Sequence, residues 1–371
     1  MKIGLISYHN EPNYGTMLQA FALSKALAKL GVESEYLQYF SFKQRSFVFK
    51  ALRNIIRTFI PAPPSQFDYF KGEEFVTTLE AFNNFHKDNI PTSDKEYYFD
   101  TVKEANCRYD KFIVGSDQTW SEYMNRSGST ANFLNFVTDN FKKNSYAPSI
   151  GTLSITEEYA EVLKQHLHSF NHLSCREKQN SKRLSEIIGK RVEYVIDPTL
   201  LLTPKEWNQI AFTPVLPYKG YILAYILGEK DCIANYAEEL GLKTGLPVYY
   251  ILTRPKYLSK TKCLKGVGPA EFVGLIRDAS YVVTDSFHGT AFCLNYGTLV
   301  YSFTKRTVTL SESALDNDRI KLLLAEFNLQ NRAKDDKDTS FEDDYDPQTY
   351  QKHLDDLRNS SWNYLKSIVN K

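Results

Sequence analysis

The sequence predicts an α/β protein made of two successive halves, each a parallel sheet covered by helices, and three observations carry that expectation. Its 371 residues exceed one compact domain, since about 150 residues per unit gives two or three. Short β runs alternate with amphipathic helices along the chain, the pattern from which parallel sheets are built. The alternation pauses around Asp197-Pro198 and Thr203-Pro204 and then restarts.

The elements follow in order. Lys2 to Ser7 reads as a strand, Asn10 to Gly15 as a polar loop, and Thr16 to Leu30 as a helix closed by Gly31, with a second β run from Ser34 to Tyr39. Together they make one βαβ unit. Further β candidates are Lys111 to Val114, Ser145 to Ile150, Leu173 to Cys175 and Glu193 to Ile196. After the pause come a strand from Tyr221 to Leu227, a helix from about Asp231 to Leu240 and a strand from Val248 to Leu252. A helix opening at Pro269, where a missing N–H costs nothing, precedes a strand from Tyr281 to Thr284, a helix from about Gly289 to Tyr296 and a strand from Leu299 to Phe303. This is a second Rossmann-like half. The expected division is a first domain over 1–200 carrying an insertion at 41–100, a second over 201–340, and a closing helix within 345–371 that packs back on the first.

Composition narrows the function. Lys plus Arg is 45 and Asp plus Glu is 44, so a formal charge of +1 supplies no global field for nucleic acid or other polyanions. No nucleic-acid partner is expected. The longest apolar stretch, Tyr221 to Leu227, is far shorter than the roughly 20 residues that span a bilayer. The first ten residues turn polar before an export signal's apolar core could form, so a cytoplasmic location is expected. The five cysteines are scattered, without the spacing of a zinc site or redox pair. His166, His168 and His172 do not share one helical face and read as surface histidines.

Charge is uneven locally. Between Phe42 and Ile60 five basic residues occur without an acid, and a helix over 47–60 would set Lys50, Arg53, Asn54 and Arg57 opposite an apolar face. That arrangement reads first as an ordinary surface helix with a solvated basic face, and otherwise as a segment for peripheral contact with a membrane. From Ala333 to Asp346, seven acids against two lysines read as a solvated loop.

Three constellations could carry chemistry. In Thr284-Asp285-Ser286-Phe287-His288-Gly289-Thr290 a strand runs into a helix N-terminus, where backbone N–H groups and the dipole favour anions. His288 adds a titratable donor, and Ser286 or Thr290 could hydrogen-bond phosphate; the alternative is that Ser286 only caps the helix and His288 fills a corner. Gly268 opens the preceding helix and offers a weaker second N-terminus. In Val114-Gly115-Ser116-Asp117-Gln118-Thr119-Trp120 a carboxylate, an amide and a ring combine, the mixture that holds sugars. Arg176, in Ser174-Cys175-Arg176-Glu177, could reach a cleft and grip carboxylate or phosphate, or pair structurally with Glu177. The first loop, Asn10 to Thr16, lacks the glycine pattern of a dinucleotide site, and P-loop, HExxH and nucleophile-elbow motifs are absent.

Taken with Asn13-Tyr14-Gly15 and Asp197-Pro198-Thr199, these motifs, in this order over roughly residues 1 to 330, resemble the polysaccharide pyruvyl transferase family. The resemblance implies a GT-B-like architecture of two Rossmann-type domains with an interdomain cleft. It implies phosphoenolpyruvate as donor, and two hydroxyls of a sugar, in a polysaccharide or its lipid-linked precursor, as acceptor; the product is a pyruvate ketal. His288, Arg176 and Asp117 become catalytic candidates. Ser286, Gly289, Thr290, Gly268, Asn317 and Arg319 are expected around the donor, and Asn13, Tyr14, Ser116, Gln118 and Trp120 around the acceptor. The scheme needs no metal or further cofactor, because its cations are side chains. A nucleotide-sugar glycosyltransferase of the same architecture and a non-catalytic glycan-binding protein are the alternatives.

Overall fold

The computed structural model describes residues 1–40, 72–125, 131–151, 155–218, 220–228, 231–304, 317–335, 340–341 and 346–370. The basic 47–60 segment and most of the acidic 335–345 stretch lie outside them.

Two fully parallel sheets dominate. The first joins β1 (Lys2–Ile6), β2 (Glu33–Phe40), β3 (Thr92–Tyr98), β4 (Lys111–Val114) and β5 (Lys143–Ser145) in the order β3-β2-β1-β4-β5. Beside it, β6 (Ser174–Cys175) and β7 (Glu193–Tyr194) form a short parallel pair. The second sheet joins β8 (Ile222–Tyr225), β9 (Val248–Ile251), β10 (Cys263–Leu264), β11 (Tyr281–Thr284), β12 (Leu299–Phe303) and β13 (Ala333–Lys334) in the order β10-β9-β8-β11-β12-β13. Central strands such as β8 and β9 are buried throughout, which is why they read as unbroken apolar runs. Two Rossmann-type sheets in one chain give the GT-B-like α/β fold.

In each sheet the strand order reverses once, between β1 and β4 and between β8 and β11. Loops diverge there and leave a crevice at the strands' carboxyl ends, the usual ligand site of open α/β sheets. Residues 7–13 and 115–118 flank the first reversal, and 226–228 with 285–287 flank the second.

The two halves share one core. Helix Tyr14–Lys29 is buried along most of its length. Its Tyr14 stacks on Phe272 of the second half at 4.4 Å and donates its hydroxyl to the Val267 carbonyl at 2.7 Å. Helix Val76–Asn89 joins them as well, since Thr78 accepts from the Gly266 N–H at 3.1 Å. The final helix, Gln348–Val369, starts on the second half, where Tyr350 donates to the Leu294 carbonyl, and ends on the first, where Tyr364 donates to that of Ser145. Arg358 bridges the two, donating to the Leu200 carbonyl and the Asn295 amide oxygen.

Some elements differ from expectation for identifiable reasons. The first helix begins at Tyr14 because the Asn13 side chain accepts from the Thr16 N–H and caps it there. Residues 76–98, expected inside an insertion, supply a helix and the edge strand β3 of the first sheet. Lys334, expected in a solvated loop, is buried on the edge strand β13 with its ammonium 5.8 Å from the centre of the Tyr301 ring.

Candidate active site

The first sheet's reversal point brings two loops into contact. Ser7, just after β1, donates its hydroxyl to the Ser116 carbonyl at 2.6 Å, and Gly115 passes so close that a Cβ there would sit 3.1 Å from Ser7. Asp117 follows with φ at +80°, a left-handed conformation that costs about 1–2 kcal/mol in a residue with a Cβ. Its carboxylate holds the turn: one oxygen accepts from the Gln118 N–H at 2.8 Å and the other from the Thr16 hydroxyl at 2.9 Å. A helix start and a strand end are thereby tied through one carboxylate.

Beneath this lies a buried charged network centred on Asp197. Its Oδ2 accepts from Arg176 Nη1 at 2.8 Å and Ser116 Oγ at 2.9 Å, while Oδ1 accepts from the Thr199 N–H and hydroxyl. His288 Nε2 stands 3.6 Å from Oδ2, close enough for attraction and too long for a hydrogen bond. Burial opposes ionisation of Asp197, but the His288 and Arg176 charges outweigh it and hold the carboxyl well below the usual carboxylate range. Burial likewise opposes charge on Arg176, and Asp197, Glu177 and Asp117 together overcome it. Glu177 accepts from Ser149 Oγ at 2.5 Å and from Arg176 Nε at 3.4 Å.

The network has unused capacity. Arg176 Nη2 and His288 Nε2 are buried and have no hydrogen-bond partner among the described residues. A buried donor left unpaired costs about 1–3 kcal/mol, so such atoms mark a place built for another molecule. His288 belongs to helix Phe287–Tyr296 of the second half, yet its ring lies against Gly15 of the first: a Cβ on Gly15 would fall 2.0 Å from Nδ1. Glycine is needed there for close approach.

A cavity of about 250 Å³ adjoins the network, lined by residues of both halves including Arg176, Asp197, Tyr194, Phe287, Arg319 and Phe327. Two guanidinium groups approach the Phe287 ring, Arg176 at 4.3 Å and Arg319 at 6.0 Å from its centre. Arg319 also faces Gln118; the amide is assigned oxygen-inward, so that it accepts from both terminal nitrogens at 3.1 and 3.2 Å. Two cations and an aromatic edge beside a small cavity suit a compact dianion. Lys178 and Glu326, across the interface, pair at 3.0 Å on the cavity wall.

Several expected site residues are placed otherwise. Trp120 is fully buried, donates its indole N–H to the Asn132 carbonyl and packs edge-on against Phe170, so it offers no face to a sugar. Tyr14 is consumed by the interdomain core and Asn13 by its cap. Ser286 caps its helix, accepting from the Gly289 N–H, and the Thr290 hydroxyl is taken by the Ser286 carbonyl and Ser302. Gly268 gives its N–H to Glu271 and is pressed against Ala81, which closes that helix end to a ligand. Asn317 opens helix Asn317–Glu326, and its side chain lies outside the described residues. The residues brought together are His288, Arg176, Ser116, Asp117, Gln118 and Arg319.

Two residues were not picked out from sequence as site members. Asp197 read as a domain boundary, although an Asp before Pro is also a helix cap, and this one caps Pro198–Leu201 while anchoring Arg176. Glu11 read as one residue of a polar loop. It is part-buried, and desolvation together with the Asp117 charge pushes its carboxyl up to about 7.

Solved structures with a similar chain path include the UDP-GlcNAc 2-epimerase of Neisseria meningitidis bound to UDP-GlcNAc, 13% identical over 100% of this chain and 95% of that one, with a TM-score of 0.46. The UDP-GlcNAc 2-epimerase of Methanocaldococcus jannaschii is 14% identical over 97% and 100%, with a TM-score of 0.41. The E. coli ADP-heptose LPS heptosyltransferase II is 13% identical over 97% and 99%, with a TM-score of 0.36. No curated protein matches the chain. The family pattern of polysaccharide pyruvyl transferases matches residues 13–304, which include Asp117, Arg176, Asp197 and His288; the chain belongs to the polysaccharide pyruvyl transferase family.

Proposed function

We propose that this transferase moves the pyruvyl unit of phosphoenolpyruvate onto two hydroxyls of a sugar and releases phosphate. The observation that supports it best is a small cavity lined by Arg176, which has an unpartnered buried nitrogen, and by Arg319; His288, likewise with an unpartnered buried nitrogen, stands 3.6 Å from Asp197 in the cavity's lining. A donor bearing a carboxylate and a phosphate would complete that set. Arg176, locked by Asp197 and Glu177, would grip one anionic group without losing side-chain freedom on binding. His288 and Arg319, from the second half, would take the other.

The chemistry then needs acid and base. Protonating the donor's methylene carbon makes its neighbour cation-like, an acceptor hydroxyl adds there, phosphate departs with the bridging oxygen, and the second hydroxyl closes the ketal. The first half, with Asp117 at the strand edge, would face the acceptor, and the second would face the donor. On this reading the protein works in the cytoplasm on a sugar or a lipid-linked oligosaccharide, with residues 47–60 as the segment for membrane contact.

Incubation with phosphoenolpyruvate and a panel of galactosides, mannosides and N-acetylhexosamines tests it. Phosphate release is expected together with a product heavier by one pyruvylidene group. Turnover of a sugar nucleotide, with phosphoenolpyruvate untouched, would instead make it a glycosyltransferase.

A further inference from the structure

Gln118 belongs to the first half, yet its side chain is turned toward the second. The backbone that carries it is held firmly: the Gln118 N–H donates to the Asp117 carboxylate at 2.8 Å, and the Gln118 carbonyl accepts from the Ser121 N–H at 3.1 Å. On either side, the Asp117 carbonyl accepts from the Ser149 N–H at 2.8 Å and the Trp120 N–H donates to the Ser149 carbonyl at 3.1 Å. Room for the amide is built in as well. Gly151 has φ at +83°, and a Cβ on it would fall 2.7 Å from one terminal atom of the Gln118 amide. The other terminal atom, the oxygen, accepts from Arg319 Nη1 at 3.2 Å and Nη2 at 3.1 Å.

We propose that Gln118 is the positioning residue of Arg319: its amide oxygen aims that guanidinium at the cavity and, being uncharged, leaves the positive charge for the donor's anionic group. The inference rests on the pyruvyl-transfer reading, and it moves Gln118 from the acceptor's side to the donor's. Arg319 lines the cavity together with Arg176, and both guanidinium groups approach the Phe287 ring. The two are held by different chemistry. Arg176 is gripped by the carboxylates of Asp197 at 2.8 Å and Glu177 at 3.4 Å, which answer much of its charge while fixing it. Gln118 meets Arg319 with a neutral oxygen that takes both terminal nitrogens, so the fork is oriented before the donor arrives and the ordering cost is met in advance. A carboxylate in the same place would give similar geometry and cancel the charge.

A double-mutant cycle on the full chain tests this, with Gln118→Met, which keeps length and removes the acceptor, and Arg319→Met. Calorimetry with phosphoenolpyruvate is expected to show Gln118→Met raising Kd roughly tenfold in the wild-type background and by less than about twofold beside Arg319→Met. Steady-state assays should show a matching rise in KM for phosphoenolpyruvate, with the acceptor's KM unchanged. Gln118→Glu should bind phosphoenolpyruvate no better than Gln118→Met, because it restores the contact and not the charge. Equal losses in both backgrounds, wild-type affinity in Gln118→Glu, or a rise confined to the acceptor's KM would each overturn the proposal. Urea unfolding of the same four proteins reads the contact without any ligand. The double variant's unfolding constant is expected to rise about fivefold less than the product of the single effects, and plain multiplication overturns the contact. Failure of the wild type to bind or consume phosphoenolpyruvate overturns the pyruvyl-transfer reading instead, and the unfolding cycle still decides whether Gln118 holds Arg319.

Discussion

Burial pushes the carboxyls of Asp197 and Glu11 the same way, toward the protonated form, and their neighbours send them apart. Asp197 has Arg176 and His288 beside it and is held ionised; Glu11 has Asp117 and keeps its proton. The consequences for stability have opposite signs. A depressed carboxyl contributes above its unfolded value, near 4, and that contribution fades as pH falls; Asp197→Asn should therefore flatten the acid limb of a melting-temperature profile while lowering the plateau. A raised carboxyl does the reverse: unfolded Glu11 releases its proton near 4.5 and the folded one near 7, so stability declines as pH rises through that window. Glu11→Gln should remove the decline and stabilise the protein by about 2–3 kcal/mol at pH 8 relative to pH 4, measured by urea unfolding. Gly15 yields a third expectation. Alanine there drives a Cβ to 2.0 Å from the His288 ring, so the imidazole must move by about an ångström, and kcat/KM for pyruvyl transfer should fall roughly 10²-fold.

At the scale of elements, strands and helices were legible wherever burial imposed a period. Tyr281 to Thr284 was recovered with its bounds intact, because both faces of a central parallel strand demand apolar residues. β3 was not, since Thr92-Ser93-Asp94-Lys95-Glu96 is an edge sequence in which charge reads as loop. The strand-end motifs were legible as motifs, but the function of each side chain was not. Trp120 looked like a sugar platform and is core; Ser286 and Thr290 looked like phosphate ligands and are a cap and a sheet contact. A one-dimensional reading finds where backbone N–H groups emerge and cannot tell which are already bonded. Tyr14 belongs to the same class of error, and it carries a test. Tyr14→Phe leaves the buried Val267 carbonyl without its partner and should cost about 1–2 kcal/mol in urea unfolding.

For the whole molecule, the near-neutral total charge proved compatible with a strongly charged interior. Asp117, the neighbours Arg176 and Glu177, Asp197 and His288 come from four separate segments of the chain and are brought together because the two halves share a core. That is why the pause at Asp197-Pro198 read as a seam between halves, although the residue holding the seam together is Asp197 itself. The division into two Rossmann-type units followed from alternation of β runs and helices; the role of the C-terminal helix as a strap on both halves followed from contacts that no local pattern encodes. The central claim is that the chain opens the carbon–oxygen bond of phosphoenolpyruvate and builds a ketal from it. The most direct measurement supplies phosphoenolpyruvate labelled with ¹⁸O at the bridging position together with an accepting sugar, and follows the label. The account predicts the label in the released phosphate and a pyruvylidene group, unlabelled in its two ketal oxygens, on the sugar. Label retained in free pyruvate, with no ketal formed, would contradict it.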